Sequence, residues 1–232
     1  MRTTAKAFTL LELLVVIGLI AGLASLLTTS FAGGGKAAAL HSAQASVAHL
    51  LTAARTKAPA VNRKVRLLVH ADPNQPERYL RLLVLQVGRQ SGASPADWDS
   101  VQSVTLPPGT CVVPASLAGL VSDAAAWKRV TDPDDDLVSD LFTNQALSHA
   151  LEGDVAAQAW TGVAFTPNGT LAALGAGPPP KGYVVIARAQ IRPPGTYTAG
   201  EPPLLLVNPE SARGLVLSAY GVPALLAERN AF

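Results

Sequence analysis

Cysteine is nearly missing: Cys111 is the only one in 232 residues, so the chain cannot close an internal disulfide or supply a thiolate cluster for zinc. It stands in the apolar stretch Cys111-Val112-Val113 and reads as a small buried strand residue. Charge is scarce too, at 15% of residues against 49% hydrophobic. The net charge of +2 includes Arg2 and Lys6 ahead of an apolar run, and the rest of the chain balances. A pI near 8.8 is therefore weak evidence for a nucleic-acid partner. There is no H-E-x-x-H pair, no G-x-S-x-G elbow and no phosphate loop, and His41, His49, His70 and His149 lack metal-pair spacing. No catalytic residue and no cofactor is expected, and the chain reads as a non-enzyme.

What the chain does have is one long apolar run, FTLLELLVVIGLIAGLASLL, from Phe8 to Leu27. As a helix it would measure about 30 Å, the thickness of a bilayer core. Arg2 and Lys6 would hold its start in the cytoplasm and leave the following residues outside. Glu12 stands out, because a carboxylate inside a membrane helix costs about 2.5–3.5 kcal/mol near the centre and asks for a partner. Gly18 and Gly22 form a G-x-x-x-G pair suited to close helix packing. Two readings are open for the run: a secretory signal cut near Gly22-Leu23-Ala24, and a plain signal anchor.

The stretch Lys6-Ala7-Phe8-Thr9-Leu10-Leu11-Glu12 with the apolar residues behind it resembles the class III signal of type IV prepilins and type II secretion pseudopilins. The resemblance implies a prepilin peptidase cut between Ala7 and Phe8, N-methylation of Phe8, and pairing of Glu12 with the terminal ammonium of a neighbouring subunit. Two charges that are costly alone in lipid would neutralise each other on docking. Ala7 departs from the glycine usual before the cut.

Downstream, Gly33-Gly34-Gly35 predicts a hinge or melted turn. Helical spacing then resumes from Lys36 to Ala58, with Leu40, Ala43, Val47, Leu50, Leu51 and Ala54 on one face and His41, Gln44 and Arg55 on the other. Pro59 is expected to stop it. Strands are expected at Val65–Ala71, Tyr79–Val87, in one or two pieces over Val101–Val113, and at Gly182–Gln190, Pro203–Asn208 and Gly214–Leu226. Val163–Phe165 and Thr170–Ala172 should pair as a hairpin about Asn168-Gly169.

Two segments resemble the H-type minor pseudopilins of the GspH/FimT family: Ala53–Ala58 with Asn62–Leu67, and Phe165-Thr166-Pro167-Asn168-Gly169-Thr170. With the N-terminus the likeness spans residues 6–90 and about 161–190. Residues 93–160 match nothing in it and read as an insertion with 10 acidic and 2 basic side chains, opposite in sign to residues 36–92 with 9 basic and 2 acidic.

The expected fold class is α+β: a long N-terminal transmembrane/assembly helix packed on a C-terminal antiparallel β-sheet domain, pilin-like. The expected divisions are a leader (1–7), the membrane and assembly helix (8–30), a hinge and amphipathic second half (31–58) and a β-rich periplasmic domain (59–232). The expected function is that of a minor pseudopilin of a type II secretion pseudopilus or type IV pilus-like filament. It would sit in the bacterial inner membrane as a single-pass protein, N-terminus in the cytoplasm. Its partners would be other pilins or pseudopilins, the prepilin peptidase and the assembly platform. Arg55, Arg63, Lys64 and Arg66 form a weak nucleic-acid candidate without interleaved aromatics. Asp132, Asp134 and Asp136 are spaced like the start of a calcium loop, but Leu137 replaces its turn glycine and Thr143 its last glutamate.

Overall fold

The computed structural model describes residues 10–89, 98–151, 153–175, 177–218 and 220–232, with side chains of 22–34 left aside. The chain divides into two units, Met1–Ala38 and Ala39–Phe232. In the first, helix α1 (Leu10–Val61) begins, with Glu12 in its first turn. The apolar side chains of this stretch stand open to solvent: Leu10 is 82% exposed and Leu11, Leu14, Ile17, Leu19 and Ile20 are exposed beside it.

Among the described residues the second unit holds the rest of α1 and eleven strands. Leu40, Ala43, Val47, Leu50, Leu51, Ala54 and Ala58 are buried, the stripe that a 3.6-residue period brings to one face. The helix ends in a Schellman arrangement: Asn62 is left-handed (φ 51°), Arg63 N–H donates to Ala58 C=O at 3.1 Å and Asn62 N–H to Pro59 C=O at 3.1 Å. Pro59 therefore lies within the last turn, and Asn62, two residues beyond the expected stop's first free position, closes the helix.

A six-stranded antiparallel sheet has the order β3-β2-β1-β6-β5, with β7 also on β6. Its strands are β1 (Val65–His70), β2 (Leu82–Gly88), β3 (Trp98–Thr105), β5 (Ala146–His149), β6 (Gln158–Phe165) and β7 (Leu171–Ala172). A five-stranded sheet has the order β11-β10-β8-β4, with β9 also on β8. It comprises β4 (Thr110–Val112), β8 (Gly182–Ile191), β9 (Leu204–Val207), β10 (Arg213–Leu217) and β11 (Pro223–Leu226). One face of each sheet meets the helix in a single core, with Leu67 and Val69 of β1, Leu83 and Leu85 of β2, Val184 and Ile186 of β8 and Leu215 of β10. The opposite faces have their own clusters. Val185 and Ala187 of β8 pack with Cys111, Leu120, Trp127, Leu137 and Phe232, while Leu68, Val84 and Trp160 form a smaller one. This is period-two alternation with both faces covered.

The structure corrects the expected fold class. Among the described residues no helix is long and apolar enough to cross a membrane. The expected single C-terminal sheet is also replaced by two sheets. Helical backbone continues through Gly33–Gly35, where a break was expected. Residues 93–160 are no appendage: β3 and β5 belong to one sheet, β4 to the other, and Cys111, Trp127 and Leu137 to a core.

Gln44 is the other departure. Placed on the polar face by the sequence reading, it is 4% exposed, and its Nε2 donates to Gly214 C=O at 2.8 Å and Leu226 C=O at 2.9 Å. One amide thus ties the helix to β10 and β11. Gln44→Ala should cost about 2–3 kcal/mol, because it leaves two strand carbonyls without their donor. A urea titration of the variant should show a lower midpoint with an unchanged slope.

Candidate functional site

Polar residues inside otherwise apolar strands collect on the outer face of the six-stranded sheet. Alternation sends Val65, Leu67 and Val69 to the helix and leaves Arg66, Leu68 and His70 on the other side. Opposite them β2 presents Val84 and Gln86, in register with Leu68 and Arg66.

A β-bulge completes the face. Leu85 pairs with Gln102 but Gln86 pairs with Ser100, which leaves Val101 as the extra residue on β3. The slip shifts the strand's phase, so Trp98 and Ser100 fall on the same face as Ser103 and Thr105. Trp98 then covers the Arg66 guanidinium, whose Cζ lies 3.9 Å from the ring centroid.

The hydrogen bonds fix the chemical states. Arg66 Nε donates to Gln86 Oε1 at 2.8 Å, so the Gln86 amide nitrogen faces Ser100 Oγ at 3.0 Å and His149 Nε2 at 3.1 Å. His149 Nε2 must accept, which makes this histidine neutral with its proton on Nδ1. His70 Nε2 lies 2.7 Å from Gln158 Oε1 and donates to it. His70 also meets Trp160 edge-on at 4.9 Å, and Trp160 Nε1 donates to His149 C=O at 3.0 Å. Arg66 Nη2, His70 Nδ1 and His149 Nδ1 are buried without hydrogen-bond partners.

Burial dominates the electrostatics. It pulls the Arg66 guanidinium down to about 10. It lowers both histidines below their ordinary value; Arg66 adds to the effect on His149, while the Gln158 hydrogen bond and Asp72 oppose it at His70. Elsewhere burial pushes the Cys111 thiol up to about 12, which leaves it unreactive.

Two clefts open beside the cluster. One, of about 530 Å³, is lined by Leu82, Val84 and Leu151 with the hydroxyls of Ser100, Ser103 and Thr105. The other, of about 450 Å³, includes Asp72, Gln75 and Gln158. Arg78 and Asp154, 3.3 Å apart, border both.

The sequence-predicted residues lie elsewhere and do not converge. Ala7 and Phe8 fall outside the described residues. Glu12 and Gly18 lie on α1, with open space where a Gly18 side chain would be; the surroundings of Gly22 are outside the described set. The basic cluster is dismantled. Arg66 is 4% exposed beneath Trp98, Arg55 Nε donates to Tyr220 C=O at 2.9 Å, and Arg63 and Lys64 alone remain fully open at the helix-to-strand turn. In the acidic loop, Asp136 pairs with Lys128 at 2.8 Å, Lys128 Nζ also donates to Asp134 C=O, and Asp132 Oδ1 accepts from Asp134 N–H. Among the described residues no three metal-ligating side chains come together. Comparison of the chain with protein-family models, with curated proteins and with solved structures gives no match.

Sequence reasoning missed the Arg66–Gln86–His149 cluster. Its signal was present as Arg66 and His70 at alternate positions of an apolar strand, and Gln86 between Leu85 and Val87. Gln86→Glu should place a carboxylate between Arg66 and His149. An NMR titration should then find the His149 pKa raised, with stability at neutral pH maintained or increased. Gln86→Leu should cost about 3 kcal/mol by stranding a buried guanidinium.

Proposed function

We propose that the chain is a minor-pseudopilin-like subunit, made as a precursor, cut by a prepilin peptidase and assembled through its N-terminal segment into a type II secretion pseudopilus or type IV pilus-like filament. The observation that carries this reading is the motif Lys6-Ala7-Phe8-Thr9-Leu10-Leu11-Glu12 followed by an uninterrupted apolar run. The run's exposed side chains support it: Leu10, Leu11, Leu14, Ile17, Leu19 and Ile20 stand open among the described residues. A contiguous surface of that kind requires lipid or neighbouring subunits. Glu12, at the fifth place after the cut, is the group that would meet a neighbour's terminal ammonium.

The role is assembly and not catalysis. Before it enters the filament the protein belongs at the bacterial inner membrane, with residues 59–232 in the periplasm. Its partners are other pilins or pseudopilins, the peptidase and the assembly platform. Nucleic acid is a poorer candidate, since Arg66 is under Trp98 and Arg55 is engaged with Tyr220.

Intact mass of the membrane-extracted protein tests the reading. Loss of residues 1–7 with gain of one methyl group is expected, and Glu12→Ala should be cut normally yet fail to enter filaments. An uncut chain would leave a signal anchor with no filament role, and cleavage after Ala24 would make it a secreted protein.

A further inference from the structure

We propose that β5 with the two residues after it, residues 146–151, forms an acid-released strap over the outer face of the six-stranded sheet, with His149 as its latch. The strap is short and hangs on few contacts. Four residues of β5 pair with β6, from Ala146 opposite Thr161 to His149 opposite Gln158. Beyond them, Leu151 N–H donates to Asp154 Oδ2 at 3.1 Å and Asp154 meets Arg78 at 3.3 Å. Leu151, at its end, lines one of the two clefts. Its apolar contacts, Leu147 and Leu151, cover only the small cluster of Leu68, Val84 and Trp160. A segment of this kind opens at lower free energy than the sheet beneath it.

The latch is sensitive to one proton. Gln86 cannot turn its amide over without losing Arg66, so its NH₂ must face His149 Nε2. A proton on that nitrogen sets N–H against N–H and breaks the link between β5 and β2. It also adds a second cation near Arg66, which among the described residues has no carboxylate partner. Among the described residues the charged groups acting on His149 are Arg66, which opposes protonation, and Asp154, which favours it. The other described neighbours are uncharged: Gln86 of β2, Ser100 of β3, and Gln158 and Trp160 of β6. His70 is a separate case. It donates to Gln158 in either charge state, and Asp72, Asp154 and Arg78 act on it.

The direction follows from linkage. His149 is harder to protonate in the closed strap than in the open one. Closure is therefore complete above the ordinary value of 6.5 and is progressively lost as pH falls below it. At about pH 5.5 the opening equilibrium should rise about tenfold, the most one histidine can contribute there.

Hydrogen–deuterium exchange on the full-length chain at about pH 7.5 and 5.5, corrected for the intrinsic pH dependence of exchange, reads this directly. The expected result is about tenfold faster exchange at residues 146–151 with β1 and β2 unchanged. His149→Gln, which keeps an acceptor for Gln86 but cannot titrate, should abolish the acceleration, and His70→Gln should retain it. Unaltered exchange in the wild-type chain, acceleration shared equally by β1 and β2, or acceleration surviving in His149→Gln would each overturn the proposal.

Discussion

The helical stretch from Leu40 to Ala58 has to bury a stripe of apolar side chains, and residues of two separate sheets meet it. Leu67, Leu83 and Leu85 come from one sheet, and Val184, Ile186 and Leu215 from the other. Each sheet therefore depends on the same helix for its inner cover, and each needs further covering on its outer face. For the five-stranded sheet that cover comes from Leu117, Leu120, Trp127 and Leu137, all in the segment that looked like an insertion. Its turns are fastened by Lys128 to Asp136, Arg129 to Asp135, and Arg229 to the carbonyls of Ala126 and Lys128.

The outer face of the six-stranded sheet is solved differently. A small apolar cluster sits beside a buried cation whose partners among the described residues are an amide and an indole ring. A guanidinium without its counter-ion is an expensive thing to bury. The bulge at Val101 is what makes it tolerable, since it turns Trp98 onto Arg66 and Ser100 onto Gln86. Local register, hydrogen-bond polarity and the charge state of His149 are consequently one linked arrangement.

Part of this was legible in the chain. The spacing of Leu40, Ala43, Val47, Leu50, Leu51 and Ala54 matches the buried face, and alternating apolar runs mark several strands. Asn168-Gly169 marks a turn, where Gly169 is left-handed (φ +75°) and a Cβ would come within 3.3 Å of Arg55 C=O. The fold class departs from expectation in the sheets, because periodicity identifies strands but not how many sheets they form. Gln44 was misplaced because a glutamine at the stripe's edge looks solvent-facing until two carbonyls are brought to it. Arg66 was grouped with Arg63 and Lys64 by adjacency, whereas strand alternation turns it under a tryptophan whose position depends on a bulge with no sequence mark. The Arg66–Gln86–His149 contact joins residues 20 and 63 positions apart, beyond the reach of local pattern.

The shared core is tested most directly by exchange measurements on Leu50→Ala, a cavity in the middle of the buried stripe that should cost about 2–5 kcal/mol. If both sheets rest on this one helix face, amides of β1 and of β8 should lose protection together and by the same increment. Loss of protection in one sheet, with the other unchanged, would contradict the account.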